Sequence, residues 1–195
     1  DDVSQIVPGE SFNDTALILG PGTGLGAAQV INNNIVLPTE IGNSSFAIPE
    51  LLTELGLRNA DEFNIIEDLI SGSGLAKIYS HFESVYKSPE EIVTSVYSDN
   101  SSQKSVDIFL TSLARILSEL ALAYMPGKGI YLAGGLIRSL QEFLDVDLFL
   151  ENFLVNRKSM HSDVLQQIPI AFINQEMTCL HGSLNFINKI SQELK

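Results

Sequence analysis

The sequence predicts a mixed α/β domain, a β-sheet flanked by helices with a helical section inserted from about residue 49 to residue 100. Three observations carry that expectation. The apolar run at residues 16–19 reads as a buried strand entering the glycine-rich stretch Gly20, Pro21, Gly22, Thr23, Gly24, Leu25 and Gly26, and two more strand-like segments follow. A long segment further on repeats apolar residues on one helical face. Beyond it, residues 129–133 read as another buried strand, ending on Gly134 and Gly135.

Glycine at every second position strips side chains from one face of the backbone, so amide N–H groups can approach a ligand closely, as they do around phosphate. Gly22, Gly24 and Ala27 fit the G-x-G-x-x-G/A spacing of a dinucleotide loop. That loop must open a helix of several turns. Here Gln29, Val30 and Ile31 run into Asn32, Asn33 and Asn34 and then Ile35, Val36 and Leu37, which reads as strand, asparagine turn, strand. No Gly-Lys-Ser/Thr follows the glycines, which removes the P-loop. The stretch is therefore a glycine-rich bend inside a β-meander, and a bend that serves only the turn stays open as the alternative to a phosphate cradle.

At 195 residues the chain suits one domain, or one large domain with a partner missing. Eleven basic against 24 acidic residues give a net charge of −13, which repels nucleic acid and anionic membrane surfaces. An anionic ligand must then be held by backbone amides, helix N-termini and metal. The single Cys179 excludes a disulfide within the chain and agrees with a reducing compartment, the cytoplasm. No apolar stretch reaches transmembrane length, and residues 1–5 resemble neither a signal nor a transit peptide.

In order, residues 1–13 form a polar lead-in around Pro8 and Gly9, with Asn13 and Asp14 as a turn before the first strand. The meander runs to Leu37, where Pro38 and Thr39 end it. A loop from Glu40 through Ile41, Gly42, Asn43, Ser44 and Ser45 to Phe46 carries an isolated carboxylate. Loops on a rigid sheet often hold function, and a solvated glutamate is the plainer alternative. Pro49 and Glu50 open a helix with Leu51, Leu52 and Leu55, capped by Gly56. Asp61 caps a second helix with Phe63, Ile65, Ile66 and Leu69, ending near Ser71 and Gly72. Glu67 lies in its last turns, where a carboxylate opposes the helix dipole by roughly a few tenths of a kcal/mol. That hints at another purpose, and surface chance explains it as well.

Ser73, Gly74 and Leu75 open a third helix through Ile78, Tyr79, Phe82, Val85 and Tyr86, and Ser88 and Pro89 start a fourth with Ile92, Val93 and Val96 inward. The polar gap from Ser98 to Gln103 has the least ordered look. The longest helix then aligns Val106, Phe109, Leu110, Leu113, Ile116, Leu117, Leu120 and Tyr124 on a core face, and Met125, Pro126 and Gly127 stop it. Gly134 and Gly135 stand at the carboxyl end of a strand, where ligands of α/β sheets sit and where a tight turn into a helix at Leu136 or Ile137 also needs glycine. Residues 144–153 form a further helix, and 156–167 show no clear pattern. Residues 168–173 are a late strand that Pro169 assigns to a sheet edge or a strand start. A closing helix carries Leu180, Leu184, Phe186, Ile187 and Ile190, with Gly182 placed for close packing. His81, His161 and His181 are scattered, Cys179 with His181 falls short of a zinc site, and no nucleophile elbow is present.

Together these residues resemble the bacterial-type glucokinases of the sugar kinase and actin-like ATPase superfamily. The likeness rests on GPGTGLG after a strand, a Pro-Thr-Glu loop at 38–40, Glu67 leading into Ile-Ser-Gly-Ser-Gly-Leu at 70–75, and Tyr-Leu-Ala-Gly-Gly-Leu at 131–136. It spans nearly the whole chain in order and covers only that family's larger, C-terminal domain. It implies a ribonuclease-H-like fold. It implies that Gly20, Gly22, Thr23, Gly24 and Gly26 form the second phosphate loop, with Thr23 near the phosphates, and that Ala133, Gly134 and Gly135 form the adenosine-side motif. Glu40 and Glu67 match the two sugar-binding glutamates, which accept hydrogen bonds from hexose hydroxyls. Where the family has a histidine after the first glutamate, this chain has Asn43, which donates and accepts but is shorter and cannot titrate. Sugar affinity or identity is the property this change touches. The small N-terminal domain, with the first phosphate loop and the catalytic Asn-Asp pair, is expected upstream of residue 1; Asn13 and Asp14 abut the strand before GPGTGLG and are not that pair.

The resemblance thus implies ATP and Mg2+ as cofactors and glucose or a related hexose as substrate. It implies a homodimeric, cytoplasmic parent enzyme making glucose 6-phosphate for glycolysis, and a chain that holds nucleotide and sugar but no catalytic base. A catalytically incomplete sugar or nucleotide sensor, or interaction module, is the alternative.

Overall fold

Six strands, β1 (Val3–Val7), β2 (Thr15–Pro21), β3 (Leu25–Ile31), β4 (Ile35–Thr39), β5 (Gly129–Leu132) and β6 (Ile170–Ile173), form one sheet in the order β1-β6-β5-β2-β3-β4. They belong to a computed structural model that describes residues 2–45, 48–57 and 62–193. β2, β3 and β4 are the antiparallel meander, β5 and β6 run parallel to β2, and β1 closes antiparallel on β6. The central strands carry the deepest side chains, with Leu17, Leu19, Ile130 and Leu132 fully buried. Asn32 and Asn33 take φ of 53° and 56° and the Asn34 N–H donates to the Ile31 carbonyl at 3.0 Å, a β-turn with both central residues left-handed inside the three-residue connection between Ile31 and its partner Ile35. Residues 27–37 are strand, turn and strand, which ends the dinucleotide-loop reading.

Two strand expectations change and a third is resolved between its alternatives. The polar lead-in is in part β1, because Val3 to Val7 supply the partner that β6 lacks on its outer side, a pairing no local pattern reveals. β4 continues through Pro38, paired with Ala28; at a sheet edge the missing donor costs nothing. β6 is interior, between β1 and β5, so Pro169 marks its start, where its carbonyl accepts the Ile130 N–H at 2.8 Å.

The helices are α1 (Ile48–Glu54), α2 (Gly72–Glu83), α3 (Pro89–Thr94), α4 (Asn100–Tyr124), α5 (Gly135–Leu140), α6 (Val146–Leu154), α7 (Ser159–Leu165) and α8 (Thr178–Glu193). Asp61 and Phe46 lie outside the described residues. The second expected helix is a single 3-10 turn, Ile66–Asp68, and Ser71 caps the next helix, its hydroxyl accepting the Gly74 N–H at 3.0 Å. Glu67 is therefore not at a helix C-terminus and the dipole argument lapses. α2 stops at a left-handed Ser84 (φ 55°), which leaves Val85 and Tyr86 exposed. α3 matches its cap: Ser88 and Glu91 bond reciprocally behind Pro89.

Residues 98–103 are ordered. Asp99 caps α4, its carboxylate accepting the Ser101 N–H at 3.0 Å, and Ser102 is fully buried beneath it. The 25-residue α4 buries Val106, Phe109, Leu113, Ile116, Leu117 and Leu120 as expected and ends on a left-handed Met125. α7 supplies the order that residues 156–167 concealed. α8 departs most: Leu180, Leu184, Phe186 and Ile187 are 50–63% exposed, and nothing lies within 4 Å of a Cβ built on Gly182.

Candidate nucleotide and sugar site

β2 and β3 pair through Gly20 with Gly26 and Pro21 with Leu25, so Gly22, Thr23 and Gly24 are the hairpin loop. Its Gly22 N–H donates to the Gly24 carbonyl at 2.8 Å. The loop rests on the start of α2, where the Gly22 carbonyl accepts the Gly72 N–H at 2.7 Å and the Thr23 carbonyl accepts the Ser73 N–H at 3.5 Å. The described peptide bonds are trans, so the N–H of each peptide plane points opposite to its carbonyl. The N–H groups of Thr23 and Gly24 share planes with those two carbonyls and point away from α2. Neither has an acceptor among the described residues.

The glycines divide into two kinds. A Cβ on Gly20 or Gly22 would meet nothing closer than 3.9 Å, and on Gly26 nothing closer than 4.0 Å, and none of these takes a left-handed φ. Neither packing nor backbone conformation demands glycine there. What their small size provides is a bare face beside two amides with no acceptor among the described residues. Gly24 is different, because its Cβ would lie 2.6 Å from Glu67 Oε2.

The second glycine turn abuts the first. The Ala133 N–H donates to the Leu19 carbonyl at 2.8 Å, prolonging the β5–β2 ladder. Gly134 follows at φ 116° and ψ 162°, a region that only glycine holds without strain, and its Cβ would meet the Pro21 carbonyl at 3.1 Å. Gly135 then opens α5. Gly22, Thr23, Ser73, Lys77, Gly135 and Leu136 line one cavity of about 1010 Å³, so segments far apart in sequence share a single cleft.

The acidic loop lies on the other flank. Glu40 precedes a 3-10 turn at Ile41–Asn43, and Asn43 Nδ2 donates to Glu40 Oε2 at 3.3 Å. Gly42 is buried against Leu25, with its Cβ position 3.0 Å from the Leu25 carbonyl. The Ile66 N–H donates to the Ser44 carbonyl at 2.9 Å and ties the turn of Glu67 to this loop. Glu67 Oε2 accepts the Leu25 N–H at 2.7 Å. Glu40, Asn43 and Glu67 are thus gathered around the start of β3, and Ser44 Oγ is buried among them with no partner among the described residues. Next door, burial pushes the Asp68 carboxyl up, but the hydrogen bond from Lys77 and the N–H groups of Asn64 and Ile65 outweigh it and hold Asp68 below its ordinary value. Asp68 is thereby tied to Lys77 and to the Asn64 and Ile65 amides.

Sequence reasoning missed the carbonyl-binding amides of Gly72 and Ser73, the cavity-lining Lys77 and the hub at Leu25. The Ser-Gly-Ser-Gly opening of α2 was the available signal for the first. Among the described residues no group of three or more His, Cys, Asp or Glu side chains could hold a metal ion, and no helix is long and apolar enough to cross a membrane.

An antiparallel meander extended by parallel crossover strands, with glycine turns meeting at the carboxyl ends of β2 and β5, defines the actin-like ATPase architecture shared by sugar kinases. The Glucokinase family model matches residues 1–190, and the chain belongs to that family. A glucokinase-like protein of Xylella fastidiosa (strain Temecula1 / ATCC 700964) is 34% identical over 197 residues, covering 92% of this chain and 56% of that protein. Glucokinase from an Antarctic psychrotroph superposes with a TM-score of 0.77 at 25% identity, over 90% of this chain and 58% of its own. Glucokinase from Balamuthia mandrillaris in complex with glucose gives 0.69 at 20% identity, over 84% and 51%. A ROK family glucokinase from Streptomyces griseus in complex with glucose and AMPPNP gives 0.55 at 13% identity, over 80% and 60%. The chain spans a little over half the length of the curated relatives it matches, 56% in the Xylella protein.

Proposed function

We propose that this chain is the nucleotide- and hexose-binding half of an ATP-dependent glucokinase, which transfers the γ-phosphoryl group to the 6-hydroxyl of glucose. The observation that carries the reading is the meeting of Gly22 and Thr23 of the β2–β3 loop with Gly135 along one cavity, with the Thr23 and Gly24 amides unbonded among the described residues and Glu67 bonded to Leu25 just beyond the loop. The ligands named for the Balamuthia and Streptomyces structures, glucose and AMPPNP, support the same pairing.

Phosphate oxygens fit the Thr23 and Gly24 amides, which need no charge and so suit a chain of net charge −13. Adenosine fits beside Gly134 and Gly135. Hexose hydroxyls donate to Glu40 and Glu67, and Asn43 supplies one donor and one acceptor where the family has histidine. Mg2+ would come with the phosphates, neutralising their charge. The general base that accepts the 6-hydroxyl proton comes from sequence beyond this chain, so these 195 residues alone are inert or nearly so. In this reading the intact enzyme is a cytoplasmic homodimer that feeds glycolysis.

A sensor that binds sugar or nucleotide without turnover is the second reading, favoured by Asn43, whose amide already bonds Glu40 at 3.3 Å. A coupled assay for glucose 6-phosphate on the intact protein separates them. Phosphorylation of glucose with ATP, lost when the upstream sequence is removed, is the expected result. Binding of both ligands without any phosphorylation would put the sensor in its place.

A further inference from the structure

The geometry points to a second duty for Glu67: its carboxylate is the strut that holds the phosphate loop in its ligand-ready shape, so that hexose and nucleotide bind to one connected element and each strengthens the other. This strut role rests on the reading of Glu67 as a hexose ligand. Glu67 Oε2 receives the Leu25 N–H at 2.7 Å, across 42 residues of sequence, at the first pair of β3 beyond the loop. A Cβ on Gly24 would stand 2.6 Å from Oε2, 3.1 Å from Cδ and 3.4 Å from Oε1, so Gly24 is glycine in order to admit this carboxylate. At Gly20, Gly22 and Gly26 a Cβ would meet nothing closer than 3.9 Å.

The acidic loop meets the same residue from the other side. Gly42 packs on Leu25, its Cβ position 3.0 Å from the carbonyl and 3.2 Å from Leu25 Cβ. The Ile66 N–H on the Ser44 carbonyl fastens that loop to the turn of Glu67. Beyond the turn, the Gly72 N–H grips the Gly22 carbonyl at 2.7 Å. The acidic loop and the strand that leaves the phosphate loop are thus each hydrogen-bonded to the turn of Glu67 and packed on one another at Leu25.

Oε1 stays available to a hexose hydroxyl while Oε2 keeps the Leu25 N–H. A hydroxyl donating to Oε1 fixes the side chain of Glu67 and, through Oε2, the peptide that leaves the loop. A loop already shaped around phosphate in turn presents Glu67 to the sugar. Coupling of this kind is reciprocal by thermodynamic necessity. Glu67 is in this role a positioning residue for the nucleotide.

Calorimetry on the intact protein tests it, with Mg-ATP, adenosine and glucose as separate titrants. Glu67→Ala is expected to weaken Mg-ATP about ten-fold, as loss of a hydrogen bond to a charged group should, and to leave adenosine within about two-fold. Glu67→Gln, whose amide oxygen still accepts the Leu25 N–H, is expected to keep most of the Mg-ATP affinity and to lose glucose affinity. Gly24→Ala, which contacts no sugar, is expected to weaken glucose in the absence of nucleotide and to abolish the gain in Mg-ATP affinity that saturating glucose gives the unsubstituted protein. Unchanged Mg-ATP binding in Glu67→Ala, or unchanged glucose binding in Gly24→Ala, overturns the strut. If Glu67→Ala does not fold, Gly24→Ala and Glu67→Gln decide. Binding of neither Mg-ATP nor glucose by the unsubstituted protein overturns the kinase reading itself and the strut with it; binding of both with indifferent variants overturns the strut alone.

Discussion

At the scale of the residue, the two kinds of glycine make opposite predictions. Gly134→Ala forces a side chain into φ 116° with the Pro21 carbonyl 3.1 Å away, and is expected to cost about 1–3 kcal/mol in a denaturant titration. Ser71→Ala removes a fully buried cap of α2, with an expected loss of about 1 kcal/mol and a loosened grip of Gly72 on the β2–β3 loop. Asn43→His is expected to change the KM for glucose and leave that for ATP nearly unmoved, measured on the intact enzyme. A reversed pattern would place Asn43 in the nucleotide cleft. The glycine motifs and the isolated Glu40 were legible because composition and spacing alone mark them. The partner of Glu67 was not, since a hydrogen bond to Leu25 N–H exists only once the meander has folded beneath it. Misplacing Glu67 in a helix came from counting apolar residues at 63, 65, 66 and 69 without the carboxylate of Asp68, which ties up the Asn64 and Ile65 amides and keeps the segment a single turn.

At the scale of the element, the junction of α2, α3 and α4 is held by polar groups. Lys87 Nζ lies 2.5 Å from Asp99 Oδ2, and the hydroxyls of Tyr79 and Ser102 donate to the same oxygen at 3.1 and 2.8 Å. The Lys87 ammonium, then the Ser102 hydroxyl, hold the Asp99 carboxyl well below its ordinary 3.8, and Asp99 in turn raises Lys87 above 10.5. A carboxyl lowered by folding stabilises above its unfolded value and loses that contribution as pH falls through the folded one. The raised lysine contributes below 10.5 and loses its share as pH climbs past the folded value. Asp99→Asn is therefore expected to lower the melting temperature at neutral pH, and the gap to the unsubstituted protein should close as the solution is acidified well below pH 3.8. A gap that persists in strong acid would mean that the cap geometry, and not the charge, is what Asp99 supplies. Sequence reasoning took this stretch for the least ordered because serine and asparagine are common in loops. The gathering of Asp99 and Ser102 around Lys87 is a tertiary fact.

At the scale of the whole molecule, the sheet order follows from what each strand can bury. β2 and β5 are apolar on both faces and lie at the centre, whereas β4, with Ile35, Val36 and Leu37 exposed, is an edge. The apolar runs at 16–19 and 129–133 marked β2 and β5 as buried strands; β1 and α7 depend on partners remote in sequence and left no local mark. α8 keeps Leu180, Leu184, Phe186 and Ile187 in solvent, an apolar face larger than scattered surface residues would give. This chain by itself is expected to bind a hydrophobic dye there, and the paired change Leu184→Ser with Ile187→Ser should reduce the dye signal without shifting the melting temperature. The central claim, that the bare face of the β2–β3 loop cradles phosphate, has a direct measurement in calorimetric titration of Gly22→Val with Mg-ATP beside the unsubstituted protein. A Cβ on Gly22 has 3.9 Å of clearance from protein atoms, so the variant should fold as before and lose Mg-ATP affinity by at least about ten-fold. A folded Gly22→Val that binds Mg-ATP as tightly as the unsubstituted protein would contradict it.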